Sequence, residues 1–266
     1  MPEGPEVKIA SDYFNQCFSK KEEIKFEILT DYYNEKYFDV FKIIENSLEK
    51  SHQTYTIGKN IFLDLNKNKV FTLHLGMTGG WSKENVKHCH FRVFSQKKEL
   101  FFKDVRKFGK LRIITKSEQN KKFQAKLDLL NNAYDMKYHL DYLNEKISDK
   151  KPICSIIMDQ KYFPGVGNYI KSETLYSSKI HPEEKWRKIN LKSKINLIKN
   201  TQDIMRKSYA AGGAELKDFK NPFEKSEFRL QIYGKKHTTK KNPVTSIVTS
   251  DYRKSWFCPI EQKLKK

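Results

Sequence analysis

Between residues 24 and 114 the chain is cut into short stretches in which apolar and charged residues alternate, the pattern of half-buried strands. Ile24, Phe26 and Ile28 alternate with charged neighbours. Further pieces run around 54–57, 61–65, 70–75, 91–94, 100–103 and 111–114, with Asn66-Lys67-Asn68 as a turn between two of them. A helical segment over 38–48 interrupts the series, and Val7, Ala10, Phe14 and Cys17 recur at helical spacing behind Pro5, which suits a first helical turn. Up to about residue 116 the chain therefore reads as antiparallel β, a sandwich with flanking helices.

The character changes after Ser117. Residues 116–126 are polar and read as a linker, and helical patterns follow around 127–130, 140–146, 153–159, 169–178 and 191–209. The last part returns to strand-like pieces at 229–233, 245–248 and 255–257. The expected fold class is α+β: an N-terminal two-sheet antiparallel β-sandwich with flanking helices, then a helical C-terminal domain that ends in a β-hairpin. The expected boundaries are 1–120, 121–225 and 226–266.

Lys and Arg number 52 against 32 Asp and Glu, a formal charge of +20 in 266 residues. That imbalance calls for a polyanionic partner, nucleic acid first and an anionic membrane second. No basic amphipathic helix with a bulky apolar face supports the membrane. Only seven of the 52 are Arg, so each Arg is a candidate for a planar, two-pronged contact. No run of about 18 apolar residues and no signal-peptide pattern occurs, so the expected location is intracellular, wherever DNA is kept. Cys17, Cys89, Cys154 and Cys258 are scattered and suit a reducing compartment.

Two stretches carry chemistry. The first is Met1-Pro2-Glu3-Gly4-Pro5-Glu6. Met1 precedes a small residue of the kind from which initiator methionine is removed, and its removal leaves Pro2 with a secondary amine. Such an amine attacks an aldehyde-like carbon, forms an iminium ion and makes a neighbouring C–H acidic. An α-amino group titrates near ~8, so a useful fraction is unprotonated at neutral pH. The positive end of the following helix lowers that protonation further, and Glu3 is the nearest proton donor or acceptor. Alone, these residues also fit a stiffened terminus. The second stretch runs from Asp159-Gln160 through Pro164-Gly165-Val166-Gly167 to Asn168-Tyr169-Ile170. A helix ends near Gln160, glycines force tight turns, and Asn168 starts the next helix, whose N-terminal amides suit a phosphate. Alone, it also fits an ordinary capped corner. His88-Cys89-His90 has metal-like spacing, with His88 and His90 on one strand face. A second ligand pair is lacking, so no metal and no cofactor is expected.

Together the two stretches resemble the formamidopyrimidine-DNA glycosylase/endonuclease VIII (Fpg/Nei) family, the second as its helix–two-turns–helix. Gly58-Lys59, His74-Leu75-Gly76-Met77-Thr78-Gly79 and Asp104-Val105-Arg106-Lys107-Phe108-Gly109 are similar to further family blocks and fall in family order. The resemblance implies a bifunctional DNA glycosylase and abasic-site lyase of base excision repair. Pro2 attacks C1′ of a flipped nucleotide, Glu3 protonates the sugar, and Lys59 orients the lesion phosphate. It also implies DNA contacts from His74, Gly167, Asn168 and Arg253. Met77, Arg106 and Phe108 would fill the hole left by the flipped base, although Met77 and Phe108 also fit a core. The expected partner is double-stranded DNA with damaged bases or abasic sites, single-stranded DNA being left open, bound by a monomer.

The end of the chain departs from the common pattern. Most relatives carry a four-cysteine zinc finger there, whereas this chain offers Cys258 and His237, too few for a closed tetrahedral site. The segments flanking that hairpin are still similar, so the resemblance implies a zincless finger as in some Nei-like members, with Arg253 kept for phosphate. Pro2-Glu3-Gly4-Pro5-Glu6 also resembles the Nei branch and favours oxidised pyrimidines. Gly212-Gly213 through residue 219 resembles the Fpg loop that caps a flipped purine. Residues 263–266 read as a disordered charge run. The rival readings are a non-catalytic nucleic-acid-binding protein, an oxidised-purine glycosylase of the Fpg type, and a hydrolase that leaves the strand intact.

Overall fold

The computed structural model describes residues 1–49, 52–215 and 226–265. It divides into two compact units, one built mainly from Glu6–Phe123 and the other from Glu3–Pro5, Gln124–Ala214 and Glu227–Lys266.

The first unit runs α1 (Gly4–Cys17), β1 (Lys25–Ile28), α2 (Asp31–Ser47), β2 (Thr54–Ile57), β3 (Asn60–Leu65), β4 (Lys69–His74), β5 (Gly79–Ser82), β6 (Cys89–Phe94), β7 (Glu99–Asp104), β8 (Lys110–Thr115) and α3 (Lys116–Lys122). Two four-stranded antiparallel sheets form, in the orders β1-β6-β7-β5 and β2-β3-β4-β8. Alternation puts Phe91, Val93 and Phe102 of one sheet and Ile61, Leu63, Phe71 and Leu73 of the other into a single core with α1 and α2. Lys67 (φ 60°) and Asn68 (φ 59°) both take left-handed backbone in the three-residue turn Asn66-Lys67-Asn68 between β3 and β4.

Four details of this unit differ from the sequence reading. Helix α2 starts at Asp31 rather than 38, because Tyr33 and Tyr37 extend its buried stripe toward the N-terminus. Strand β5 was hidden by Gly79-Gly80; Trp81 anchors it by donating its indole N–H to Ala10 O (3.0 Å). The polar segment expected as a linker contains α3, started by a capping box in which Thr115 and Glu118 satisfy each other's amides. His88 does not share a strand face with His90. It takes φ 74° ahead of a register shift, while His90 is a packing residue stacked on Tyr33 and bonded to Asp104 O (3.0 Å).

The second unit contains α4 (Met136–Lys146), α5 (Ile153–Met158), α6 (Asn168–Ser177), α7 (Leu191–Ala210) and a hairpin of β9 (Thr245–Val248) and β10 (Lys254–Phe257). The helix expected at 127–130 is instead a short 3-10 turn at Ala125–Leu127, after which Asp128 Oδ1 accepts from the Leu130 amide and diverts the backbone. No strand forms at 229–233, because the amides of Gln231, Ile232 and Tyr233 donate to the buried Glu173 carboxylate rather than to a neighbouring strand. Of the basic tail expected at 263–266, residue 266 lies outside the described residues and Lys265 is bonded: Lys265 N donates to Glu184 Oε2 (2.9 Å) and Lys188 Nζ to Lys265 O (2.9 Å). Among the described residues no helix is long and apolar enough to cross a membrane.

His139 of α4 is fully buried against Phe163. Its Nε2–H donates to Tyr162 O (2.7 Å) and its Nδ1 accepts from Tyr134 Oη (3.4 Å), an arrangement for the neutral ring. Burial pulls the imidazole from 6.5 down to about 4, against the Tyr162 carbonyl, which favours the cation. The unfolded chain therefore binds the extra proton first as pH falls. This stabilisation is complete above about pH 6.5 and is lost as pH drops toward 4, by roughly 3 kcal/mol. Urea midpoints at pH 7 and pH 4.5 should separate for the wild type and converge for His139→Gln; equal slopes would show that His139 is not the group responsible.

Candidate active site

In the first unit Pro2 is buried and lies two residues before α1. With Met1 attached its nitrogen is a tertiary amide, so the amine exists only once Met1 has left. Lys59 sits in the two-residue turn between β2 and β3, where Gly58 supplies φ 61°, and is only 7% exposed. His74 ends β4 in register with Asn60. The Gly76 amide donates to its Nδ1 (3.0 Å), which leaves the ring proton on Nε2 as a donor. Burial first, then the charges of Lys59, Lys110 and Arg112, push the His74 imidazole below its ordinary range. A neutral donor ringed by cations is a good receptor for an anion.

Met77, Arg106 and Phe108 lie on two loops joined at one buried carboxylate. Thr78 Oγ1 donates to Asp104 Oδ1 (2.6 Å) and accepts from the Arg106 amide (3.0 Å), while Gly109 N donates to Asp104 Oδ2 (2.7 Å). Gly76 packs so closely that a Cβ there would stand 2.6 Å from the Phe108 carbonyl carbon. Met77 is half-buried, Phe108 is 47% exposed, and the Arg106 guanidinium lies 4.6 Å from the Phe108 ring centre. Neither apolar side chain belongs to the buried core of this unit. Asp104 escaped the sequence reading as a positioning residue; its signal was the acid at the head of Asp104-Val105-Arg106.

In the second unit Glu3 is 3% exposed, and its carboxylate accepts from the amides of Gly167 (2.7 Å), Tyr169 (2.9 Å) and Ile170 (3.3 Å) at the start of α6. A helix N-terminus carries unpaired donors and a positive end, so the side chain meets both demands. The Gly4 amide donates to Gly165 O (2.8 Å), and a Cβ on Gly4 would stand 2.7 Å from Met205 Cε. Gln160 closes the turn between α5 and α6, donating to Val166 O (2.8 Å) and accepting from Gly165 N (3.1 Å). Asn168 Nδ2 gives one proton to Lys254 O (2.9 Å) of β10. The sequence placed Gly167 and Asn168 at a phosphate; the structure brings both to the same helix start as Glu3.

Arg253 is exposed on the β9–β10 turn beside Tyr252, which is 90% exposed and takes φ 57°. The base of that turn is an ion pair between Lys171 Nζ of α6 and Asp251 Oδ2 (2.6 Å), with side chains 0% and 7% exposed. Thr249 Oγ1 donates to Asp251 Oδ1 (2.5 Å) and accepts from Ser255 Oγ (2.7 Å). Below it Cys258 is buried against Tyr176 and Ile232, with Val244 and Trp256 alongside, and its amide donates to Gln262 Oε1 (2.9 Å). Gly212 (φ 80°) and Gly213 (φ 86°) end α7, and the rest of the loop expected through 219 lies, from 216 on, outside the described residues.

The family model for the Formamidopyrimidine-DNA glycosylase N-terminal domain matches residues 1–111, and that for the Formamidopyrimidine-DNA glycosylase H2TH domain matches residues 127–220. The formamidopyrimidine-DNA glycosylase of Rickettsia bellii (strain OSU 85-389) is 32% identical over 221 residues, covering 77% of this chain and 79% of its own length. The chain belongs to the formamidopyrimidine-DNA glycosylase family. The enzyme of that name from Mycoplasmopsis pulmonis is 30% identical over 284 residues, covering 100% of this chain and 99% of its own. Two solved structures share the fold. MutM (Fpg) of Thermus thermophilus has a TM-score of 0.82 at 21% identity, with 100% of each chain covered. Lactococcus lactis Fpg in complex with an abasic site containing DNA has a TM-score of 0.81 at 22% identity, with 98% of this chain and 99% of that one covered.

The zinc that the common family pattern implies does not fit the described residues of this hairpin. Cys258 is taken up by an apolar cluster and His237 is exposed in a bridge to Pro243. Among the described residues no group of three or more His, Cys, Asp or Glu is placed to hold a metal ion.

Proposed function

We propose that this DNA glycosylase of base excision repair excises oxidised bases through a Schiff base on Pro2 and nicks the strand by β- and δ-elimination. The observation that carries the reading is the Glu3 carboxylate locked onto three amides one residue after Pro2. A nucleophile on a chain terminus is useful only if the terminus is held, and here the adjacent residue is fixed. Once Met1 is removed, the Pro2 amine attacks C1′ and the base leaves with its bonding electrons. The resulting iminium acidifies the C2′ proton, and its loss expels the 3′ phosphate. The proton that the amine gives up passes to the Glu3 carboxylate and from there to the opening sugar oxygen, and Lys59 and His74 hold the lesion phosphate. Met77, Arg106 and Phe108 occupy the vacated stack. Asn168 and Arg253 hold backbone phosphates, Arg253 from a finger that works without zinc, while the Gly167 amide stays committed to Glu3. Residues 1–120 serve as the catalytic part, 121–225 as the helix–two-turns–helix part and 226–266 as the finger.

The partner is duplex DNA that carries a damaged base or an abasic site, and a charge of +20 supports it. Pro2-Glu3-Gly4-Pro5-Glu6 supports oxidised pyrimidines as substrates. The second reading, ring-opened and oxidised purines, has the naming of the Rickettsia and Mycoplasmopsis relatives behind it.

Borohydride trapping on a duplex with one oxidised pyrimidine, read by mass spectrometry, tests the chemistry. The expected product is a covalent adduct on Pro2 of a chain lacking Met1, and a chain with an uncleavable N-terminal extension should give none. Base release without an adduct would instead indicate a hydrolase, and stronger trapping on an 8-oxoguanine duplex would select the purine reading.

A further inference from the structure

The outer face of the β2-β3-β4-β8 sheet carries a pocket of about 200 Å³. Its lining brings Lys110 and Arg112 of β8, Lys122 of α3, His74 and Thr72 of β4 and Asn60 of β3 together above the Phe123 ring. The register explains the cluster: Asn60, His74 and Lys110 form one cross-strand row, and Thr72 pairs with Arg112 in the next. The lining contains no carboxylate. Asp64, on the same sheet, is taken up by Lys116 (2.8 Å) and Tyr55 (2.6 Å), and Glu118 near Lys122 is committed to its capping box. Lys110 and Arg112 make no ion pair among the described residues. Like charges this close repel one another, and an anion between them removes the repulsion.

We infer that Lys110, Arg112 and Lys122, with Asn60 and Thr72, form a second phosphate seat for the DNA strand whose lesion phosphate is held at Lys59 and His74. This rests on the proposed glycosylase reading. Thr72 lies two residues before His74 on β4, about 7 Å away, a step on the scale of one nucleotide. The Arg112 fork suits two phosphate oxygens, the Lys ammoniums supply point charge, and the Nε2–H of His74 donates at the border of the two seats.

The test uses the full chain with Lys110→Ser and Arg112→Ser combined. Both side chains are exposed, and an unchanged thermal midpoint confirms the fold. Affinity for a lesion duplex is measured as a function of salt. The double variant should bind roughly 10-fold more weakly at low salt, with the slope of log K against log salt smaller by about 1. Replacing the flanking phosphates one at a time with neutral methylphosphonate should identify one position that costs the wild type as much and costs the double variant nothing further. Equal slopes, or losses that add at every position, overturn the seat and leave the glycosylase reading intact. A wild type that neither binds nor cleaves the lesion duplex overturns both.

Discussion

Lys171→Met is expected to cost about 3–5 kcal/mol of stability in the second unit, the effect of stripping one partner from a buried ion pair. The ammonium is fully enclosed, and burial pulls it below the ordinary lysine range, so the site tolerates its charge only because Asp251 faces it at 2.6 Å. Without it Asp251 keeps Thr249 Oγ1 and the Arg253 amide as donors, too little for a carboxylate that is 7% exposed. Lys171→Met combined with Asp251→Leu should recover most of the loss, because an apolar pair of similar volume leaves no orphaned charge. Urea unfolding of the two single variants and the double completes the cycle. A single variant within about 1 kcal/mol of wild type would mean that the pair carries no strain of burial. Since Asp251 also bonds the Arg253 amide, DNA affinity in Lys171→Met should fall to the level of Arg253→Ala.

Gly167→Ala should lower single-turnover base excision by about 100-fold or more, near 3 kcal/mol of barrier. The backbone there (φ −129°, ψ −158°) is extended and open to alanine, so conformational strain is not the cause. The cause is space: the new Cβ would overlap the Glu3 carboxylate. Glu3 must then leave the amides of Gly167, Tyr169 and Ile170, each buried donor left unmatched costing about 1–3 kcal/mol. Glu3→Ala should be similarly impaired, and combining the two should add little, because both remove one interaction. Excision by Gly167→Ala within roughly threefold of wild type would sink the argument.

Much of this architecture was legible because burial on one face writes a period-two signal into a strand. Residues 24–28, 61–65 and 111–114 show it, and the strands lie there. Gly79-Gly80 carry no side chain to alternate, so β5 left no trace. Residues 229–233 alternate well yet pair with Glu173, a partner about 60 positions away that no local window includes. The candidate site divides in the same way. Pro2, Glu3 and Asn168 stand beside glycines and prolines that mark tight backbone, which draws attention to them without assigning a role, and Lys59 was reached only through the family resemblance. Nothing local marks Lys171, because its burial depends on Asp251, 80 residues later. The basic pocket was equally hidden, since Lys110 and Arg112 gain their neighbours only through strand register.

The Asp104 carboxylate has a mechanical consequence. It holds the base of the loop with Met77 and the base of the loop with Arg106 and Phe108 in one set of short hydrogen bonds, closed by the Gly76 contact. In the proposed role the three side chains thus enter the helix as one stiff wedge instead of three independent fingers. A stiff wedge cannot adjust its shape to each base step that it meets. Selectivity during the search then comes from the DNA: a step weakened by damage opens under the wedge at little cost, and an intact one turns it away.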